Sequence, residues 1–342
     1  MSASPTPPTS NRQIRLARRP EGRVKRSDFE DVTSDVPAIG AGQVLVRTKY
    51  LSLDPTNRVW VERDSYLPKV AIGEVMRGVG LAEVVESQSA EYKAGDLVVA
   101  MVGWQELAAL DATGPNKPMR LPPGLPFPQP AFLGALGVTG ITAYFGLLEL
   151  GKPKAGETVV VSAAAGAVGT VVGQIAKIQG CRVVGIAGSA DKCAWLTGDL
   201  GFDAAVCYKD ADWKAQLERA CPSGVDINFE NVGGDIMNTV IGMMNLHGRI
   251  VLCGLISEYN ESKRMLGPYD VLLMKRLTLS GFIILDYAPR FMEAVMQLGQ
   301  WMMQGKLRHA DTIVDGLEAA PEALNMLFDG GNRGKLLVRV AP

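Results

Sequence analysis

Residues 157–169 read Glu157-Thr158-Val159-Val160-Val161-Ser162-Ala163-Ala164-Ala165-Gly166-Ala167-Val168-Gly169. The apolar, β-branched run predicts a buried strand. The small residues after it predict a tight turn that opens a helix. Read against G-x-G-x-x-G, the turn is A-x-G-x-x-G, with Ala164 in the first glycine slot. Little side chain is wanted there, because the backbone must approach a pyrophosphate whose charge then rests on the positive end of the helix. Gly169 lets helix and strand pack closely. Ala164, Gly166, Ala167, Val168 and Gly169 are therefore candidate cofactor-binding positions. A glycine turn also packs helices that bind no nucleotide, so its context has to decide.

That context is a repeat. Strands are predicted over 157–162, 182–187, 204–208, 224–230, 248–254 and 277–282. Helices are predicted over 168–179, 192–200, 212–220 and 237–244, with flanking helices over 133–150 and from 288 to about 304. Strands separated by helices at this rhythm predict an α/β, doubly wound parallel sheet spanning 132–304. Upstream, short alternating apolar runs at 43–48, 80–86 and 96–102, broken by Gly and Pro, predict a mainly β, barrel-like region over 1–131. The tail from 305 to 342 has the same character and ends in a strand over 335–340, so the chain is expected to return and complete the β domain.

Proteins that take NAD place an Asp or Glu on the ribose about 20 residues past the glycine turn. Here the second strand ends Ala187-Gly188-Ser189-Ala190-Asp191-Lys192, with no acid at its tip. Gly188 and Ser189 leave room, and Lys192 brings a positive charge. That favours the additional phosphate of NADP over the plainer reading of Lys192 as a solvated first-turn lysine.

Composition bounds the rest. The 342 residues carry a net charge of −1 and no basic block, which gives no electrostatic reason to expect nucleic acid or an anionic membrane as partner. No apolar run reaches the roughly 18 residues needed to span a bilayer. The opening MSASPTPPTSNRQ lacks a secretory profile, so a cytoplasmic protein is expected. Its five cysteines, Cys181, Cys193, Cys207, Cys221 and Cys253, are odd in number and unpaired in spacing, which argues against a disulfide framework.

The chain resembles the medium-chain dehydrogenases/reductases, and within them the zinc-free branch of prostaglandin, plant double-bond and curcumin reductases. The resemblance runs from Asn11 to Val340. It is carried by Tyr50-Leu51-Ser52-Leu53-Asp54-Pro55, the 163–169 turn, Glu230-Asn231-Val232-Gly233-Gly234, Ile256-Ser257-Glu258-Tyr259-Asn260 and Gly331-Asn332-Arg333-Gly334-Lys335. It implies a GroES-like β domain, a Rossmann domain, a homodimer, and NADPH-dependent reduction of a carbon–carbon double bond conjugated to a carbonyl in a small molecule. It also implies that Lys192 and Tyr208 meet the adenosine phosphate and ribose, that Asn231 lies near the nicotinamide, and that Cys253, Ser257, Phe282 and Asn332 touch the cofactor. Asparagine also suits turns for conformational reasons alone, which leaves a structural reading open for Asn231 and Asn332.

A catalytic zinc needs Cys, His or acidic ligands. The first 180 residues hold neither Cys nor His. Where zinc-dependent relatives carry Gly-His-Glu, this chain reads Met76-Arg77-Gly78-Val79-Gly80, and His247 and His309 are isolated. No metal is expected, so the charge that develops on a substrate carbonyl needs a hydrogen-bond donor. The resemblance makes Tyr259 that donor and places it beside the nicotinamide ribose; packing is the alternative role for a loop tyrosine. Relatives usually read D-P-Y-M-R where this chain has Asp54-Pro55-Thr56-Asn57-Arg58, so Thr56 with Tyr66 is expected to reshape the substrate pocket, and Tyr287 is a further candidate there. Two readings compete with an enone or enal reductase: a quinone oxidoreductase, and a non-catalytic NADPH-binding protein.

Overall fold

A computed structural model describes residues 9–260 and 267–340. The chain forms two compact units. One comprises 9–133, 313–329 and 336–340, and the other 134–260, 267–312 and 330–335.

The second unit is built on a six-stranded parallel sheet. Its spatial order is Ala204–Cys207, Arg182–Ala187, Thr158–Val161, Val225–Glu230, Met244–Leu252 and Thr278–Gly281. Val159, Val160, Val161, Val183, Val184 and Ile227 are fully buried, as expected of strands covered on both faces. The helices Ala167–Ile178, Ala190–Gly198, Trp213–Ala220 and Gly234–Met243 fall where the repeat predicts them, with ends moved by a few residues. A side chain at Gly173 would lie 1.9 Å from the Phe202 ring, so that glycine admits the ring against its helix.

Two expectations shift. The helix expected over 133–150 begins at Val138 and widens at Gly146–Gly151 into a π-wound turn. Its start is late because Gly137 is extended and Thr139 spends its hydroxyl on the Gly134 carbonyl at 3.0 Å. The fifth strand, expected over 248–254, already starts at Met244 and takes in the end of the helix expected over 237–244. His247 takes a left-handed conformation there, and the register slips between Val225 and Ile227. The Asn245 amide, bonded to Ser223 O and Asp226 Oδ1, fastens that irregular stretch.

The first unit is mainly β. Gln43–Ser52 lies at its centre, paired antiparallel with Val79–Ser87, Leu107–Asp111 and the returning strand Lys335–Arg339. The C-terminus therefore does come back, with Val338 opposite Leu51. The tail also holds a helix, Ala320–Asp329, that strand-like reading of 305–342 misses. Ala320, Ala323 and Leu324 follow helical spacing and enter the core around Trp104, Leu51 and Val84.

Candidate active site

The glycine turn is shaped by backbone crowding. Ala163 is left-handed (φ 46°), and Gly166 caps the helix Ala167–Ile178 with no side chain bonded to its first amides. A Cβ on Gly169 would stand 2.5 Å from Ala163 O and 2.8 Å from Ala164 Cα, closer than real contacts allow. Only glycine lets the helix start this near the strand, and its uncapped amides form a surface suited to an anion. The segment 330–335 lies along this turn. Gly334 N donates to Ala165 O at 2.8 Å, and the position requires glycine because φ is positive and a Cβ there would meet Ala310 O at 1.9 Å. Asn332, buried, donates to Gly334 O at 2.9 Å, so its amide shapes the turn that sequence reading offers as an alternative to cofactor contact.

At the tip of the second strand, Ser189 caps the helix Ala190–Gly198 by accepting from Lys192 N at 3.4 Å. The Tyr208 ring covers Gly188, where a Cβ would sit 3.3 Å from the phenol. Lys192 Nζ donates to Gly330 O at 3.0 Å. Burial, then the nearby charges of Arg333 and Lys209, push the Lys192 ammonium below its ordinary pKa. Arg333 lies over the Trp195 ring at 5.9 Å, and Lys209 over Tyr208 at 6.0 Å. Sequence reading names Lys192 and Tyr208 here and passes over Lys209, Arg333 and Trp195.

The carboxyl ends of strands Thr158–Val161 and Val225–Glu230 meet at a fully buried acid, Glu230, that sequence reading places at a strand end and in a motif of the resemblance without giving it a role. Glu230 Oε1 accepts from Ser162 Oγ at 2.7 Å, Val232 N at 2.6 Å and Gly233 N at 2.9 Å, and Oε2 accepts from Asn228 Nδ2 at 3.1 Å. Burial raises its pKa against these donors. Asn231 extends the tie, donating from its amide to Ser162 O and from its backbone to Ser162 Oγ, both at 2.8 Å. The next loop hangs from this frame: Cys253 N donates to Glu230 O, Ile256 N to Asn231 O, and both Ser257 N and Ser257 Oγ to Val232 O. Burial holds the Cys253 thiol up at about 12. Tyr259 closes the loop. Its hydroxyl accepts from Leu255 N at 3.4 Å and lies near Gly254.

Phe282 packs against Gly146 and, edge-on, against Tyr287; Tyr287 stacks on the buried Phe145 ring at 4.6 Å. Packing therefore accounts for both. In the first unit, Thr56 Oγ1 and Tyr66 OH are 2.9 Å apart, with Tyr66 also edge-on to Trp60. The structure joins the two pocket candidates into one hydroxyl pair. Among the described residues, no three His, Cys, Asp or Glu side chains lie together as a metal site.

Residues 12–117 match the family model described as the N-terminal domain of oxidoreductase, and residues 167–301 match the one described as zinc-binding dehydrogenase. The chain is 44% identical over 340 residues to the NADPH-dependent curcumin reductase of Escherichia coli (strain K12), covering 97% of each. It is 40% identical over 343 residues to the NADP(+)-dependent 2-alkenal reductase of Nicotiana tabacum, covering 97% of this chain and 98% of the relative. The crystal structure of CurA from Vibrio vulnificus in complex with NADPH superposes with a TM-score of 0.92 at 43% identity, covering 97% of this chain and 99% of that one. With both units matched and this likeness sustained along nearly the whole length, the chain belongs to the medium-chain dehydrogenases/reductases, in the branch that includes the curcumin and 2-alkenal reductases.

Proposed function

We propose that this protein is an NADPH-dependent reductase of carbon–carbon double bonds conjugated to a carbonyl, acting on small molecules without a metal. The observation that carries the reading is full-length identity of 40% or more to a curcumin reductase and a 2-alkenal reductase. The geometry fits the cofactor: uncapped amides follow Gly166, and Lys192, Lys209 and Arg333 gather where an NAD protein would carry an acid. Bound NADPH supplies a hydride to the β-carbon of the substrate.

The chain's own groups do the rest. Tyr259 is assigned to donate a hydrogen bond from its hydroxyl to the carbonyl oxygen as negative charge builds there, keeping its own proton. The Leu255 N–H that points at this hydroxyl polarises it as a donor. The buried Glu230–Ser162–Asn231 frame holds the Tyr259 loop, so the donor is set before substrate arrives. The proton for the α-carbon comes from solvent. Thr56 and Tyr66 are assigned to shape the substrate pocket. We also propose a homodimer: Thr278–Gly281 is the last strand of its sheet, and Tyr269, Leu273, Met274 and Leu279 nearby in sequence are exposed. Equilibrium sedimentation tests it, and a single monomer mass would refute it.

The test of function follows NADPH absorbance with a 2-alkenal, a phenyl-substituted enone and a quinone, in the presence of chelator, with NADH in parallel. Chelator-resistant oxidation with the alkenal or enone is expected. Oxidation by the quinone alone would make the protein a quinone oxidoreductase. Tight NADPH binding without any turnover would favour a non-catalytic binding protein.

A further inference from the structure

We infer that Arg333, whose guanidinium lies over the Trp195 ring on the segment that also receives Lys192, is a specificity-determining residue that grips the 2′-phosphate of the cofactor and sets the preference over NADH. The inference rests on the NADPH reading above.

The segment's backbone is held from several sides. Thr312 Oγ1 accepts from Arg333 N and donates to Arg333 O, both at 2.9 Å, Asn332 donates to Gly334 O, and Gly334 N donates to Ala165 O. The Arg333 backbone is therefore fixed relative to the glycine turn while its side chain stays exposed. Trp195, on the helix that starts at the tip of the second strand, places its ring face toward the guanidinium at 5.9 Å. An arginine held by a ring face spends none of its fork of donors on that contact, and the fork matches a phosphate bidentately.

Charge points to the same ligand. Lys192, Lys209 and Arg333 have no ion-pair partner among the described residues. Asp210, next to Lys209 in sequence, is bonded to Gln216 instead. Lys192 already spends one donor on Gly330 O. Three cations of this kind repel one another in the empty protein, and a phosphate dianion among them removes that cost. The ribose of NADH brings no such charge. Arg333 and Lys209 thus turn a single lysine, which any solvated helix start can carry, into a discriminating site.

The test is equilibrium binding of NADP+, NAD+, 2′-AMP and 5′-AMP to the wild type, Arg333→Gln, Lys209→Gln and Trp195→Phe, by calorimetry. Losing a charge-assisted contact weakens binding by about 10–100-fold. Arg333→Gln is expected to weaken NADP+ and 2′-AMP by that factor and leave NAD+ and 5′-AMP within about twofold, with a smaller loss for Lys209→Gln. The NADP+ affinity of the wild type should also fall more steeply with salt than that of Arg333→Gln. A wild type that prefers NADP+ while Arg333→Gln keeps that preference overturns the role of Arg333 and leaves the NADPH reading standing. Parallel loss of NAD+ would make Arg333 a structural support for the segment and overturn the inference. A wild type with no preference for NADP+ overturns both.

Discussion

Gly169→Ala is the sharpest probe of the glycine turn, because what resists the new methyl is backbone. The added Cβ would stand 2.5 Å from Ala163 O and 2.8 Å from Ala164 Cα. Restoring ordinary contact moves the helix start away from the strand by roughly 0.9 Å, starting from that 2.5 Å approach. Overpacking of this kind costs about 1–3 kcal/mol, or a few degrees to about ten degrees of Tm for a unit of this size. The same displacement carries the uncapped amides after Gly166 away from a bound pyrophosphate. Each charge-assisted hydrogen bond lost is worth about 1.5–3 kcal/mol, so NADPH affinity should fall at least about tenfold. Gly242→Ala is the matched control. It lies in the helix Gly234–Met243, where a Cβ meets nothing within 4 Å, and should stabilise by about 0.5–1 kcal/mol. Thermal unfolding and NADPH titration read both variants. Wild-type affinity and Tm in Gly169→Ala would refute the claim that the close approach builds the site.

Tyr259→Phe should lower kcat about 100-fold while NADPH affinity stays within about threefold; a wild-type kcat would remove Tyr259 from the chemistry. Glu230→Gln tests the buried frame by pH. Burial raises the folded pKa of Glu230 above its ordinary 4.5, so its contribution to stability is full below that value and is lost as pH rises through the folded pKa. Denaturation at a series of pH values should therefore show Glu230→Gln gaining on the wild type as pH climbs from about 4.5; a constant gap would mean the acid ionises as easily folded as unfolded. All five thiols should titrate after denaturation without reductant, and Cys253, with its pKa near 12, should resist alkylation at pH 8 in the native protein. Rapid native alkylation of Cys253 would contradict the raised pKa of its thiol.

The sequence by itself determined the order of strands and helices, because periodicity and glycine placement are local: the run 157–169 predicts its strand, turn and helix without reference to any distant residue. It also showed that the tip of the second strand carries no acid and that Lys192 follows it closely. It misread the tail, where the short apolar spacing of Ala320, Ala323 and Leu324 within Ala320–Asp329 passes for the alternation around it. Tertiary structure decided what converges. Gly334 reaches Ala165 O, and Arg333 reaches Trp195, only because residues 330–335 leave the β unit and lie on the other. Glu230 reads in sequence as the end of an apolar strand. Its role as a four-donor hub exists only where Ser162, Asn228, Val232 and Gly233 meet it. Local pattern records the conformation of the backbone, whereas which side chains share a site is set by packing between segments far apart in the chain.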